Sequence, residues 1–312
     1  MQSATGPGPV AGTGKVKSLA EAAALVKDGD HVALGGFACA RNAMAFSHEL
    51  IRQGRRDLTL SACVFGMDAD ILVGAGAVRR LIYGGGSLDR YGPIQCVNRA
   101  VERNQVIPAY FSSLAVTFRY LAGALGIPSI PIKSMLGSDL LPRLEQETAP
   151  DDVLEMDDPF TGERVVLLRA MVPDVAVVQV QMADAEGNAR ILGPRWENGE
   201  AVRAARQVVV ITEDLVATEY IRQQPELTAI PGLRVNAVVN LPFGAHPTGL
   251  YKYYDHDEVH LRRYVSLART DAGVEEYLRE FVLEPRDHYE YLDRVGGMRT
   301  LSALKADPWL GY

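Results

Sequence analysis

The chain is poor in cysteine, with three in 312 residues, Cys39, Cys63 and Cys96. Their spacing matches neither a disulfide framework nor a zinc ligand set. An odd, sparse set is expected of a reducing compartment, here the cytoplasm. Positive charge is also short: 32 Lys and Arg against 39 Asp and Glu leave a net charge of -7. A nucleic-acid partner is therefore not expected, since phosphate contacts need a basic face. No run approaches the roughly 18 apolar residues of a membrane span, so no membrane partner is expected either. Residues 1–14 lack the basic start and apolar core of a signal peptide and read as a disordered leader. Residues 15–312 read as one domain.

Catalytic signatures are missing as well. There is no G-x-S-x-G elbow and no H-E-x-x-H. The G-x-G-x-x-G of a nicotinamide dehydrogenase is absent too. Six histidines are scattered. His246, in the loop Gly244-Ala245-His246-Pro247, reads first as a structural brace of that loop. His256 and His260 stand four apart beside Asp255, Asp257 and Glu258, and on a helix would share a face. No third ligand has fixed spacing, so no metal site is expected.

What is present begins at Asp28-Gly29-Asp30-His31-Val32-Ala33-Leu34-Gly35-Gly36-Phe37. Asp28-Gly29-Asp30 is a turn. Val32, Ala33 and Leu34 form the apolar run of a strand buried on both faces of a parallel sheet. Gly35 and Gly36 would let backbone N–H groups approach a ligand. Ala43, Met44, Phe46, Leu50 and Ile51 mark the helix that follows. Such a loop, at a strand's carboxyl end and a helix's amino end, is where open α/β sheets bind ligands. It is equally a common tight connection, and the residues alone leave both readings open.

Further strands are expected at Leu58–Cys63, Val78–Tyr83, Arg164–Arg169, Val175–Val180, Val208–Thr212 and Val235–Leu241. Ile127–Met135 reads as extended, with Pro128 and Pro131 excluding helix. Helices are expected from Ser18 to about Lys27, around Asp70–Leu72, and at Ile94–Glu102 and Ala115–Leu125. Ser18 and Glu21 carry a capping box. Residues 142–158 read as an acidic surface excursion, and Leu261–Leu292 as a C-terminal helical extension. The alternation predicts an open, mostly parallel α/β sheet flanked by helices on both faces. Gly84-Gly85-Gly86-Ser87 and Gly137-Ser138 would join Gly35-Gly36 on one edge. With Arg41 nearby, that edge would form a cleft for a bulky anionic ligand.

The opening stretch resembles the signature of the α subunits of family I coenzyme A transferases. The resemblance continues, in order, through Arg52-Gln53-Gly54, Ala124-Leu125-Gly126-Ile127-Pro128, Met135-Leu136-Gly137-Ser138 and Ile230-Pro231-Gly232. It ends at Asp287-His288-Tyr289, and within the family it is strongest to the glutaconate type. It implies the coenzyme A transferase fold. It implies a heteromer in which CoA moves between carboxylic acids through a glutamyl-CoA thioester on a partner β subunit. No catalytic residue is then expected here, and no permanently bound cofactor; acyl-CoA and a small carboxylic acid are the substrates. Carried over, Gly35, Gly36, Phe37, Arg41, Ser87, Ser112, Ser113, Gly137 and Ser138 would line the substrate and CoA site. Arg41 would suit a carboxylate or the CoA phosphates.

Glu197-Asn198-Gly199 resembles the E-N-G of the β subunit's catalytic glutamate. Its flanks differ, and it reads as a surface loop before the helix at Ala201. Three departures from the family pattern stand out. Arg41 and Ala43 replace a glycine and a proline of the signature. Ser113 is short where relatives carry Gln or Glu. Ala62-Cys63 replaces an Asn pair of acetoacetate-type enzymes. The resemblance also leaves open an α subunit of a related acyl-CoA decarboxylase or ring-opening hydrolase. A non-catalytic acyl-CoA-binding subunit is the alternative of another class.

Overall fold

In chain order the elements are α1 (Leu19–Ala23), β1 (His31–Leu34), α2 (Met44–Arg52), β2 (Leu58–Ala62), α3 (Met67–Gly74), β3 (Val78–Tyr83), α4 (Gln95–Glu102) and β4 (Ile107–Tyr110). There follow α5 (Ser113–Leu125), β5 (Ser129–Ile132), α6 (Leu140–Arg143), β6 (Val153–Asp157), β7 (Arg164–Arg169), β8 (Val175–Asp184) and β9 (Ala189–Arg190). Then come α7 (Asn198–Ala204), β10 (Gln207–Val216), α8 (Thr218–Arg222) and β11 (Ala237–Asn240). The C-terminal helices are α9 (Glu258–Leu267), α10 (Asp271–Leu278), α11 (His288–Arg294) and α12 (Gly297–Leu304). This computed structural model describes residues 14–307, 309 and 310. Apart from Gly14, the expected leader lies outside the described residues.

Seven strands form a parallel sheet in the order β11-β10-β8-β1-β2-β3-β4, and β9 pairs antiparallel with β8. Side chains alternate across it. Val32, Leu34, Val175, Val177, Val209 and Ile211 enter one core, with α1–α4 and the C-terminal helices. Ala33, Ala176, Val178, Val208 and Val210 enter the other, with α5 and α7. The open, mostly parallel sheet is as expected.

Several expectations need correction. The second face is covered by more than helices: β5, β7 and β6 form a three-stranded antiparallel sheet there. Residues 142–158 are accordingly no plain excursion. Leu144 and Val153 enter the core, and β6 escapes a periodicity search because Leu154 and Met156 occupy its outward face among acids. Strand β4 is missing from the expected elements. Pro108 lies within it, which a central strand excludes but an edge strand tolerates, and among the described residues β4 pairs with β3 alone. The capping box forms as expected, but α1 ends at Ala23. The C-terminal extension is helical as expected, built of several short helices.

Asp70, on α3, ties this layer together. Its carboxylate accepts from the Val97 N–H of α4 (2.9 Å) and from the Tyr264 hydroxyl of α9 (2.6 Å). Burial raises its pKa from 3.8 to about 6, against those two hydrogen bonds. The protonated acid is the form the fold prefers. Its contribution is present below pH 3.8 and lost as pH rises through 6. Asp70→Asn, which keeps an acceptor for Val97 and cannot ionise, should match the wild type at about pH 4. At about pH 7.5 it should be more stable by up to about 3 kcal/mol. Urea unfolding of both proteins at the two pH values checks this.

Candidate active site

The loops that leave the parallel strands at their carboxyl ends are stitched into one row. The Ala38 N–H donates to Val64 O (3.3 Å), joining the β1 loop to the β2 loop. Gly84 N–H donates to Cys63 O (3.0 Å), and Ser87 N–H to Phe65 O (3.1 Å), adding the β3 loop. A Cβ on Gly84 would lie 2.6 Å from Ser113, so the start of α5 packs directly on that loop. Ser112 caps α5 through Ala115 N–H (3.1 Å) and its Oγ meets Ser134 Oγ at 2.7 Å. Ser134 belongs to the segment after β5 of the second, three-stranded sheet, where Ser138 donates to Met135 O within its own turn (2.7 Å).

Gly35, Gly36, Phe37, Arg41, Ser87, Ser112 and Ser113 are thus brought along one edge, with Gly137 and Ser138 at its end. Phe37, Ser87, Ser112 and Ser138 are half-buried or exposed at this rim, as are Ser113 and Gly137. Beside Ser113, Leu114 is 51% exposed, an apolar side chain at the rim.

The glycine loop does not cradle phosphate with its amides. Gly35 N–H donates to Val177 O (2.8 Å) and Gly36 N–H to Asn198 Oδ1 (3.0 Å). Phe37 and Ala40 bond each other, Cys39 N–H goes to Asp89 Oδ2, and Arg41 N–H to Gly249 O. Every N–H from Gly35 to Arg41 is engaged by the protein itself. The expectation of free donors there is corrected: what the loop offers a ligand is the side chain of Phe37.

Arg41 lies beneath this loop. It is 3% exposed, and its guanidinium stands 5.0 Å over the Trp196 ring. Nη2 donates to Asn198 Oδ1 (3.3 Å), while Nε and Nη1 take no hydrogen-bond partner among the described residues. Burial pushes its pKa down to about 10, with the Glu197 charge opposing. Trp196 is stacked on Phe37 at 5.2 Å.

Glu197 is the residue that sequence reasoning misplaced. It is 3% exposed, not on a surface loop. Its Oε1 accepts from the Cys63 N–H at 2.8 Å. Burial raises its pKa, against the Cys63 hydrogen bond and the Arg41 charge. The signal that could have placed it is Trp196, an aromatic residue with a packing duty beside an otherwise polar stretch.

Among the described residues of the edge, no cysteine or serine is paired with a base that would activate it. Burial raises the pKa of the Cys63 thiol, and Glu197 raises it further. Its Sγ is held by Ser113 O and Thr117 Oγ1. Cys39 and Cys96 are raised by burial too. A disulfide-exchange reagent should therefore leave all three thiols unreacted in the native chain and label all three in denaturant. The hydrogen bonds of Ser87, Ser112 and Ser138 run to backbone groups and to Ser134, not to a histidine that could act as base.

His31 bonds Ser61 Oγ across β1 and β2 (2.6 Å), while His246 and His260 serve the C-terminal layer. His246 bonds Tyr291 Oη (2.7 Å) and Asp257 Oδ2 (3.0 Å), a brace as expected. His260 bonds Tyr277 Oη at 2.8 Å. His256 precedes α9, so the two do not share a helix face. Among the described residues no three His, Cys, Asp or Glu side chains are grouped to hold a metal ion. No helix among them is long and apolar enough to cross a membrane.

An open parallel sheet with small-residue loops at one edge is the arrangement in which α/β chains bind ligands across their strand ends. Residues 16–241 match the model of the family described as coenzyme A transferase, and the chain belongs to that family. It is 35% identical to the A-type subunit of glutaconate CoA-transferase of Acidaminococcus fermentans, over 96% of this chain and 97% of that one. The crystal structure of that organism's glutaconate coenzyme A-transferase superposes with a TM-score of 0.89 at 33% identity, covering 96% and 98% of the two chains. The crystal structure of the AibA/AibB decarboxylase superposes with a TM-score of 0.75 at 34% identity, covering 86% and 99%. An uncharacterised protein of Archaeoglobus fulgidus is 37% identical over 93% of this chain, which spans 64% of that relative's length.

Proposed function

We propose that this chain is the α subunit of a heteromeric CoA transferase acting on a dicarboxylic acid of glutaconate-like character. One observation carries the reading. The chain is related over nearly its whole length to one subunit of a CoA transferase, while on its candidate edge Glu197 is buried, the thiols are held protonated, and Ser87, Ser112 and Ser138 bond no histidine. The attacking carboxylate then comes from the partner β subunit, which closes the row of loops from the other side.

The chemistry balances without help from this chain's acids. The partner's carboxylate attacks the thioester carbonyl and expels CoA thiolate, leaving a mixed anhydride. The thiolate attacks the glutamyl carbonyl, and the first acid leaves as its carboxylate. The incoming acid runs the two steps in reverse. In this reading Phe37, Ser87, Ser112, Ser113 and Ser138 form the wall the acyl-CoA meets. Hydroxyls there can donate to the developing oxyanion. Arg41 contributes its charge from beneath the loop. Coenzyme A enters as substrate and leaves as product.

The test is an exchange assay on the chain purified with its β subunit. Succinyl-CoA or acetyl-CoA is offered with a panel of dicarboxylic and aromatic acids, and acyl-CoA masses are read. New acyl-CoA esters are the expected result. The relation to the AibA/AibB decarboxylase favours one second reading, a decarboxylase subunit. It would give no exchange and a product lighter by carbon dioxide.

A further inference from the structure

Three non-glycine residues with positive φ meet at the glycine loop: Ala38 (50°), Arg41 (60°) and Trp196 (47°). Each is a conformation that costs free energy and persists only where the surroundings enforce it. The same place holds four buried polar atoms with no hydrogen-bond partner among the described residues: Arg41 Nε and Nη1, Glu197 Oε2 and Asn198 Nδ2. The Arg41 and Glu197 charges act on each other through space, yet these four atoms stay without a hydrogen bond. A well-packed apolar cluster would be the more stable solution. Strain and uncompensated polarity concentrated at one point mark a place kept for something other than stability.

The geometry shows what these residues do. Asn198 Oδ1 takes the Gly36 N–H (3.0 Å) and the Arg41 guanidinium (3.3 Å) together, across 162 and 157 residues of sequence. A Cβ on Gly35 would lie 3.0 Å from the same oxygen. Glu197 Oε1 takes the Cys63 N–H at the end of β2. Trp196 packs against both Phe37 and Arg41. Two adjacent side chains thus fix the ends of two adjacent strands.

We propose that Glu197 and Asn198 are positioning residues of the transfer site, holding the β1 and β2 loops, and through them Phe37, in the orientation the acyl-CoA requires. The inference rests on the transferase reading and adds two residues that act from this chain without touching substrate. Asn198 acts through its one oxygen, its Nδ2 having no hydrogen-bond partner among the described residues. Glu197 acts on Cys63 through one oxygen too.

The experiment compares removal with conservative replacement, in the heteromer. Asn198→Ala and Glu197→Ala should lower kcat for CoA exchange at least about tenfold, with the KM for acyl-CoA within about twofold of wild type. Asn198→Asp and Glu197→Gln each keep the accepting oxygen and should restore kcat to within about threefold. In parallel, hydrogen exchange at the Gly36 and Cys63 amides should quicken at least about tenfold in the respective alanine variants and not in the conservative ones. Should Asn198→Ala fail to fold, Asn198→Ser replaces it, its hydroxyl one bond too short to reach both donors. Alanine variants with wild-type kcat and protected amides overturn the proposal. So do conservative variants as impaired as the alanines. A wild-type heteromer that exchanges no acid refutes the transferase reading instead. The amide measurements then decide the brace alone, and unchanged protection in the alanine variants overturns it.

Discussion

Gly36→Ala is expected to abolish CoA exchange and to destabilise the chain by roughly 2–5 kcal/mol. Two costs add. At φ +98° a side chain is strained whatever the space around it, by about 1–2 kcal/mol. The new Cβ would also stand 2.7 Å from Arg41 O and 2.8 Å from Ala40 O. Both are backbone atoms, so no rotamer change relieves the contact, and overpacking of this kind costs about 1–3 kcal/mol. Gly76 separates the two costs. It has φ +71° with nothing within 4 Å of an added Cβ. Gly76→Ala should show the conformational cost alone and leave exchange untouched. Urea unfolding and exchange rates of both variants measure the difference. Equal losses would mean that the Gly36 loop yields, against the stitching of every amide from Gly35 to Arg41.

Arg119→Met should cost about 3 kcal/mol, and for a different reason. Arg119 is 2% exposed, on α5. Its Nη2 pairs with Asp152 Oδ1 at 3.0 Å, and its Nε donates to Arg169 O of β7 at 3.0 Å. The guanidinium also lies 4.6 Å over the Phe111 ring. It joins the helix that presents Ser112 and Ser113 to the antiparallel sheet on that face. Removing one partner of a buried pair costs about 3–5 kcal/mol when the other charge stays buried, and Asp152 is half-buried. Asp152 keeps a second partner in Arg80 at 3.5 Å, which places the loss at the low end. Asp152→Asn in the same background should recover part of it. Additive losses in the double variant would show that the two side chains are not coupled.

Local chemistry is readable wherever a residue acts on its neighbours. Val32-Ala33-Leu34 and the glycines after it mark β1 and its loop, and Ser18 with Glu21 marks the start of α1. Gly126 marks the end of α5, where it stands at φ +71°. Gly187 marks a turn with φ +93°. Where the partner is remote, nothing in the local pattern reveals it. The amides of the glycine loop end on Val177, Asn198, Val64, Asp89 and Gly249, and no spacing rule connects these positions. Glu197 reads as exposed because Arg195, Gly199 and Glu200 surround it, while its burial depends on Cys63 and Arg41. Pro108 argues against a strand that exists only because β4 ends the sheet. The family signature, by contrast, is spread through the chain in order, so no single motif has to carry it.

That this chain is a wall without a nucleophile is tested most directly by trapping. The heteromer is incubated with succinyl-CoA, the thioester intermediate is reduced with borohydride, and the modified peptide is located by mass spectrometry. The expected modification lies on a glutamate of the β subunit, with every peptide of this chain unmodified. Modification of the peptide carrying Glu197, or of any other acid in this chain, would contradict it.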